Sequence, residues 1–359
     1  MKKLRIAQVA PLYESVPPKL YGGTERIVSF LTEALISMGH DVTLYASGDS
    51  LTDARLIPVI PAALRLDPNK VDQIAPHITM VQMVQNDRRE YDIIHYHIDY
   101  LHFPVSHCSK KPHLTTLHGR LNIPELQALY NIYREVPVVS ISNSQRIPLQ
   151  QAHWTDTVYH GLPENLFKPV YTPGHYLAFL GRISPEKGLD DAIEIAKRVG
   201  IPLKIAAKIE GADQGYFQNV IEPLLDHPLI EFIGEVNESE KQSFIGNAIA
   251  LLFPIKWPEP FGLVMIESLA CATPVVAYAS GSVPEILTSG VDSFIVNDLA
   301  GAVACIDNIK TIDRHSCRAS FDRRFTAKQM AENYLKVYQE VIASKKESLI
   351  IKETDHEYN

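Results

Sequence analysis

The sequence predicts an α/β protein made of two doubly wound units, each built on a parallel sheet. Its 359 residues exceed the usual size of one domain, so two domains are expected. Apolar runs typical of buried parallel strands alternate with helical patterns, and this strand-loop-helix order occurs from residue 4 and again from residue 176. Because ligands of such sheets bind at the carboxyl ends of the strands, functional residues are expected in the loops that follow them.

The composition is that of an ordinary globular enzyme. Hydrophobic residues make up 46% and charged residues 21% of the chain, and the formal net charge of -8 argues against a nucleic-acid partner. No apolar run reaches membrane-spanning length, and the chain opens on a strand pattern, so a cytoplasmic location without a strong membrane signal is expected. The cysteines are widely spaced and show no zinc-like spacing with the 14 histidines, which predicts reduced, structural thiols at Cys108, Cys271, Cys305 and Cys317.

The first unit begins with a strand, a loop and a helix. Its expected elements are strands over residues 4–9 and 41–46 and, between them, a helix over 26–38 that ends at Gly39. Gly22 and Gly23 lie where this helix starts, and backbone amides there can bind a phosphate, although a glycine pair is also common in a plain turn. Residues 71–84 are expected to form an amphipathic helix whose polar face is solvated rather than bound to lipid.

Later strands of the first unit end in polar loops. They are expected over residues 91–97, 112–119 and 138–146, and a Pro/Gly-punctuated linker follows over 170–175. His118 comes directly after an apolar strand and before Gly119, at the carboxyl edge of the sheet. This position suits an active-site residue, although a structural histidine is common there as well.

The second unit repeats the same order. Its expected elements are strands over residues 176–182, 203–207 and 230–235 and helices over 189–199, 215–225 and 240–247. Arg182 and Lys187 are the basic residues of the first strand and its loop, so both are expected at the ligand edge. They either neutralise a bound anion or form an ordinary surface pair.

The stretch from residue 251 to 287 organises the second unit. A short apolar strand is broken by three prolines, and a helix begins after Gly262 with amides that can bind an anion, at Phe261, Gly262, Leu263 and Val264. Glu259 lies just before this helix and Glu267 lies just over one turn inside it. Because carboxylates repel a phosphate, the two are costly beside an anion site unless something cationic or hydroxylated meets them, and a ribose or hexose hydroxyl would satisfy both. The alternative is a proline-rich turn before an ordinary core helix.

These motifs together resemble those of the retaining, nucleotide-sugar-dependent glycosyltransferases of family four. The E-x7-E pattern of Glu259 and Glu267 is followed by Thr273-Pro-Val-Val and by the segment from Gly281 to Glu285. A G-R-x-x-x-E-K-G element contains Arg182 and Lys187, and a T-x-H-G element contains His118. The resemblance covers nearly the whole chain, with the most specific motifs in the second half.

The resemblance implies the GT-B architecture of two facing Rossmann-like domains. We expect an acceptor-side domain over residues 1–170, a nucleotide-sugar-binding domain over 176–325, and a helix over 326–343 that crosses back to the first domain. The family usually has Asn where His160 stands in this chain, so any role of that Asn is not carried over.

The resemblance also implies roles for individual residues. The expected catalytic residues are His118, Arg182, Lys187 and Glu259. The expected donor-binding residues are Gly22, Gly23, Arg182, Lys187, Glu235, Val236, Glu259, Phe261, Gly262, Leu263, Val264 and Glu267. In these roles His118 and Glu259 hydrogen-bond the sugar, Glu267 holds the ribose, and backbone groups at residues 235 and 236 hold the base. Arg182 and Lys187 neutralise the leaving diphosphate.

The expected reaction is the transfer of a hexose, glucose from UDP-glucose, to a hydroxyl of a small-molecule or glycan acceptor with retention of configuration. No D-x-D motif occurs in the sequence, and protein cations are present, so no metal ion and no cofactor are expected. Retention without an enzymic nucleophile fits a front-face displacement. The alternatives are a catalytically idle nucleotide-sugar-binding protein and a GT-B-type enzyme of another class, a sugar epimerase or a phosphorylase.

Overall fold

The computed structural model describes residues 2–19, 22–67 and 71–357, and the chain divides into two compact units. Unit 1 consists of the residues up to Gly161 together with those from Ala327 onward, and unit 2 runs from Leu162 to Thr326. The boundary thus lies nine residues before the expected end of the first domain at 170. Leu162 belongs to unit 2 because its backbone N–H donates to the carbonyl of Phe325 over 2.9 Å, and the Arg318 guanidinium holds the carbonyls of Glu164 and Phe167.

Unit 1 contains a parallel sheet that has seven strands among the residues described. The strands are β1 (Arg5–Val9), β2 (Asp41–Ala46), β3 (Arg55–Pro58), β4 (Ile93–Tyr96), β5 (His113–Thr116), β6 (Pro137–Ser140) and β7 (His153–Thr157), in the spatial order β3-β2-β1-β4-β5-β6-β7. The first helices are α1 (Gly23–Ser37), α2 (Ala75–Asn86), α3 (Phe103–Ser106), α4 (Pro124–Ile132) and α5 (Asn143–Arg146). The edge strands β3 and β7 were not expected from the sequence, since both are short and partly exposed.

Unit 2 contains a second parallel sheet, with six strands in the part of the chain that the structure describes. The strands are β8 (Tyr176–Arg182), β9 (Leu203–Lys208), β10 (Ile230–Gly234), β11 (Ala248–Phe253), β12 (Val275–Tyr278) and β13 (Ser293–Val296), in the order β10-β9-β8-β11-β12-β13. The helices are α6 (Leu189–Val199), α7 (Gln214–Tyr216), α8 (Glu238–Gly246), α9 (Leu263–Ala270), α10 (Val283–Ile286), α11 (Leu299–Ile306) and α12 (Arg314–Arg324).

The helix expected over residues 215–225 is interrupted. Only Gln214–Tyr216 is α-helical, and a π-helical turn over Phe217–Ile221 and a 3₁₀ turn over Glu222–Leu224 follow. Pro223 has no backbone N–H to donate, so a regular α-helix cannot continue through it. The segment is therefore helical, as predicted, but it is not one regular α-helix.

The last helix, α13 (Ala327–Glu357), belongs to unit 1, where it packs against α1 and β5. It extends beyond the expected end at residue 343. Tyr334 and Tyr338 on this helix are almost completely buried. Over the residues described, no helix is both long and apolar enough to cross a membrane.

In each sheet, the strands that follow the first one are added on one side of it and then, from a definite strand onward, on its other side. In unit 1 the reversal falls between β1 and β4, and in unit 2 between β8 and β11. A crevice opens at the carboxyl ends of the strands at such a switch point, because neighbouring crossovers leave in opposite directions. In unit 2 this point is formed by Arg182, which ends β8, and Phe253, which ends β11.

Candidate functional site

The loops after β8 and β11 are joined at the switch point of unit 2. The backbone N–H of Lys256 donates to the carbonyl of Glu186 over 2.8 Å. Gly188 has a φ of +71°, and a Cβ on it would lie 2.1 Å from the carbonyl oxygen of Pro254. Only glycine fits this position, because other residues would meet both backbone strain and a collision with fixed main chain. The two loops are thus held as one surface.

Lys187 and Glu259 meet on this surface. Lys187 Nζ lies 2.6 Å from Glu259 Oε2, and Trp257 Nε1 donates to the same oxygen over 2.7 Å. The ammonium also lies 5.5 Å from the centroid of a Trp257 ring. The side chains of Lys187 and Glu259 are only 19% and 12% exposed, so their attraction is screened less than that of a surface pair. The two predicted residues are therefore brought together.

Arg182 lies at the end of β8 among three carboxylates. Its guanidinium is 2.6 Å from Glu186, 3.2 Å from Glu210 and 3.4 Å from Asp213. Burial lowers the pKa of Arg182, but the hydrogen bonds and charges of these carboxylates outweigh it, and the net direction is upward. Glu210 and Asp213 were missed from the sequence, although their place directly after β9 puts them at the same edge of the sheet.

The N-terminus of α9 begins in a tight turn. Gly262 has a φ of +77°, and a Cβ there would lie 2.8 Å from Met265 Cε and 3.1 Å from Phe253 Cζ. The next backbone N–H groups, of Leu263 and Val264, belong to the first turn of the helix, which has no preceding carbonyls to accept them. This places the predicted amides and the positive end of the helix dipole beside Glu259 and after β11.

The segment before α10 is hydrogen-bonded to the loop that carries Glu259. Ser280 Oγ donates to the carbonyl of Trp257 over 2.7 Å, and Ser282 Oγ donates to that of Phe261 over 2.9 Å. Gly281 has a φ of +57°, and a Cβ on it would lie 2.3 Å from the backbone nitrogen of Glu259. The segment around Gly281 thus fixes the backbone of the loop that carries Glu259.

Glu267 is buried on α9, with 4% of its surface exposed, and is paired with Lys241 of α8 over 2.7 Å. The partner was missed from the sequence because it lies on a different helix. Glu235 and Val236 form the connection between β10 and α8, where the next residue, Asn237, caps the helix through a reciprocal bond with Glu240. Backbone groups at 235 and 236 are thus fixed close to the helix start.

His118, Gly22 and Gly23 belong to unit 1. Gly22 precedes α1, and a Cβ on it would lie 2.7 Å from the Cβ of Pro18, so space rather than backbone strain requires glycine there. His118 Nε2 lies 2.9 Å from His97 Nδ1, and its ring stacks on that of His160 at 5.2 Å between centroids. Burial lowers the pKa of His118 to about 3, so the ring is neutral at physiological pH.

No group of three or more His, Cys, Asp or Glu side chains that could hold a metal ion is found within residues 2–19, 22–67 and 71–357. The four cysteines are free thiols, and burial raises the pKa of Cys271 and of Cys317 to about 12, whereas Cys108 is exposed and does not fit the expected structural role. Cations at the carboxyl edge of the unit 2 sheet include Arg182, Lys187, Lys208 and Lys256, and each has a carboxylate partner.

Two family models match this chain. The model "Glycosyl transferases group 1" covers residues 167–310, which include every predicted site residue of unit 2. The model "Glycosyltransferase Family 4" covers residues 21–147, which include Gly22, Gly23 and His118. Together the matches span about three quarters of the chain.

Curated relatives and solved structures agree with these matches. The chain is 24% identical over 343 residues to an uncharacterised glycosyltransferase of Methanocaldococcus jannaschii, covering 82% of this chain and 85% of that protein. It is 26% identical over 367 residues to a glycogen synthase of Mycobacterium tuberculosis, covering 85% and 86%.

Among solved structures, a sucrose-phosphate synthase from Thermosynechococcus elongatus superposes with a TM-score of 0.77 at 17% identity, covering 95% of this chain and 100% of the other. A glycosyltransferase involved in avilamycin A biosynthesis gives a TM-score of 0.73 at 21% identity, covering 95% and 98%. These likenesses show the fold. The chain therefore belongs to the family four type of glycosyltransferases and has the two-domain GT-B fold.

Proposed function

We propose that this glycosyltransferase moves glucose from UDP-glucose to an acceptor hydroxyl, with retention of configuration and without a divalent metal. The observation that carries the proposal is the 2.6 Å pair of Lys187 and Glu259. A glycosidic bond to a diphosphate joins a hydroxylated ring to an anion, and this pair offers a cation for the anion beside a carboxylate for the hydroxyls. The Anabaena protein HepE, which has been solved in complex with UDP-glucose, supports this donor; it gives a TM-score of 0.70 at 17% identity, covering 95% of this chain and 100% of the other.

The residues of unit 2 divide the work of binding the donor. Arg182, Lys187 and the first amides of α9 bind the diphosphate, and Glu259 binds hydroxyls of the hexose. Glu267, which Lys241 holds in place, binds the ribose, and backbone groups at 235 and 236 bind the base. His118 binds the transferred sugar, and the glycine pair at residues 22 and 23 binds the diphosphate.

The charge on the diphosphate grows as its bond to the anomeric carbon breaks. Because Arg182 and Lys187 are already oriented by carboxylates, their attraction to the leaving group increases without a large reorganisation. The acceptor oxygen bonds to the anomeric carbon on the face that the diphosphate leaves, and its proton passes to a diphosphate oxygen. Atoms and charge balance, and the configuration is retained.

The test is incubation of the purified protein with UDP-glucose and an array of acceptors, with and without EDTA. We expect release of UDP, an acceptor product whose anomeric configuration by NMR matches that of the donor, and equal rates with EDTA. Inversion, or loss of transfer with EDTA and recovery with magnesium or manganese, would contradict the proposal. Binding of UDP-glucose without any turnover would favour the idle binding protein, and formation of an epimeric sugar without transfer would favour the epimerase.

A further inference from the structure

A chain of polar side chains runs through the interior of unit 1 and ends at His118. Its members are buried, apart from the half-buried His118, and lie on β1, β4, β5 and α13 or just after these strands: His118, His97, Gln8, Tyr338, His95, Thr116 and Tyr334. If the three histidines are neutral, no member of this polar chain is charged at neutral pH. Their order in the chain follows from six contacts of hydrogen-bond length.

The first half of this polar chain of side chains connects His118 to the final helix, α13. His118 Nε2 lies 2.9 Å from His97 Nδ1, and His97 Nε2 lies 2.7 Å from Gln8 Oε1. The Gln8 amide nitrogen donates to Tyr338 Oη over 3.1 Å. Because the Gln8 oxygen can only accept, His97 must carry its proton on Nε2, and its Nδ1 then accepts from the Nε2–H of His118.

The second half continues in the same direction. Tyr338 Oη lies 2.8 Å from His95 Nδ1, and His95 Nε2 lies 2.7 Å from Thr116 Oγ1. Thr116 Oγ1 lies 2.8 Å from Tyr334 Oη. Since Tyr338 accepts from Gln8, its own O–H can donate to His95, and every later bond can point the same way. The orientation of one amide, that of Gln8, thus sets the direction of the whole chain.

We propose that this chain fixes His118 as its Nε2–H tautomer and so presents Nδ1 as a hydrogen-bond acceptor for a hydroxyl of the substrate, with Gln8, His97 and Tyr338 as positioning residues. The inference deepens the proposed function and rests on it. His118 Nδ1 is buried and has no hydrogen-bond partner among the residues described. A buried acceptor without a partner is costly, and a sugar hydroxyl that donates to it would remove that cost.

Burial also keeps the His118 ring neutral. Burial lowers the pKa of His118 to about 3 and places those of His95 and His97 well below their usual value, with the positive charges of neighbouring histidines as a further cause for the latter two. Neutral imidazole retains the lone pair that accepts a hydrogen bond. A protonated ring would donate from both nitrogens and would reverse the preference for a hydroxyl donor.

Two tyrosines one turn apart on α13 give a matched pair of variants. Tyr338→Phe removes the hydroxyl that bonds both Gln8 and His95 in the middle of this polar chain, whereas Tyr334→Phe removes only the hydroxyl at its far end. Both side chains are buried, so the two changes create similar packing defects. For Tyr338→Phe we expect kcat to fall on the order of tenfold, by analogy with the loss of groups that orient a ligand, while the Kd for UDP stays unchanged. For Tyr334→Phe we expect a change of less than about twofold.

Equal losses of kcat in the two variants would show a merely structural role and would overturn the proposal. If Tyr338→Phe does not fold, the tautomer of His118 in the wild-type protein still decides the matter. Nitrogen-15 NMR of histidine-labelled protein, without donor or acceptor, should show the proton of His118 on Nε2; a proton on Nδ1 would overturn the proposal. This measurement needs no turnover, so it stays valid if the proposed donor and reaction are wrong.

Discussion

Lys187 Nζ and Glu259 Oε2 are 2.6 Å apart, so the cation proposed for the diphosphate and the carboxylate proposed for the sugar are partners of each other. The pair has two consequences. Glu259 orients the ammonium before the diphosphate gains charge, which favours the transition state. Loss of either residue leaves the opposite charge largely buried without its partner, so single substitutions are expected to cost more than the contact itself.

Lys187→Ala and Arg182→Ala should each lower kcat more than they weaken donor binding, because the charge that they meet grows during bond cleavage. A loss on the order of a hundredfold in kcat is expected, and Arg182→Lys should also be damaging because the planar fork is lost. Steady-state kinetics and calorimetry with UDP are the measurements. Lys204→Ala is the control, since Lys204 is paired with Glu231 near the opposite end of the sheet, 3.0 Å away. Near-normal kcat in all three site variants would make Arg182 and Lys187 an ordinary surface pair.

Glu267→Ala should weaken the binding of UDP roughly tenfold to a hundredfold, because the ribose loses a charge-assisted partner. Calorimetry measures this directly, and thermal unfolding shows whether the loss of the Lys241 bond also destabilises unit 2. Glu238→Ala is a suitable comparison, since Glu238 also contacts Lys241, at 3.8 Å, and is not expected to touch the donor. If UDP binds both variants as tightly as it binds the wild type, Glu267 does not hold the ribose.

Gly281→Ala should reduce transfer with little effect on the rest of unit 2. The added methyl group would lie 2.3 Å from the backbone of Glu259, so the loop must move, and displacement of a reacting geometry by about 1 Å can cost on the order of a hundredfold in rate. Gly290→Ala is the matched control, because Gly290 also has a positive φ, +82°, but nothing lies within 4 Å of a Cβ there. That change should cost only about 1–2 kcal/mol of backbone strain. Equal activity of the two variants would show that Gly281 does not position Glu259.

The free energy of unfolding should fall as the pH is lowered below about 6.5. Burial lowers the pKa of His95, His97, His118 and His160, so the folded protein keeps these rings neutral while the unfolded chain protonates them. The unfolded state then binds more protons, and each ring contributes up to about 1.4 kcal/mol per pH unit. Urea unfolding at several pH values measures the slope, and His118→Gln should reduce it by about one proton. A slope that is flat between pH 7 and 5 would contradict the burial of neutral histidines.

The sequence predicted the parts of the site that lie within one strand and its following loop. The bounds of β8 agree with the prediction because the run from Tyr176 to Leu180 is apolar and the Ser184-Pro185 pair shortly after Arg182 cannot continue a strand. The glycines at 188 and 262 were recognisable for a similar reason, since both stand where a strand gives way to a helix.

Contacts between distant parts of the chain were not predictable. Gln8 and Tyr338 are separated by 330 positions, and neither lies in a pattern that marks it as the partner of the other. The carboxylates around Arg182 come from two different loops, and Lys241 reaches Glu267 from another helix. Local periodicity reports which face of an element is buried, and it contains no information about which side chain of another element is met there.

The order of the two units along the chain sets an order of events during synthesis. Residues 162–326 form unit 2, whereas α13, which completes unit 1, follows them. On the ribosome, all of unit 2 has been translated before Tyr334 and Tyr338 can reach Gln8, His95 and Thr116. Until then, these polar groups have only water or one another as partners, although the finished protein buries them. The amino-terminal half therefore cannot reach its native state until the last helix of the chain has been made, whereas every residue of unit 2 is available before that.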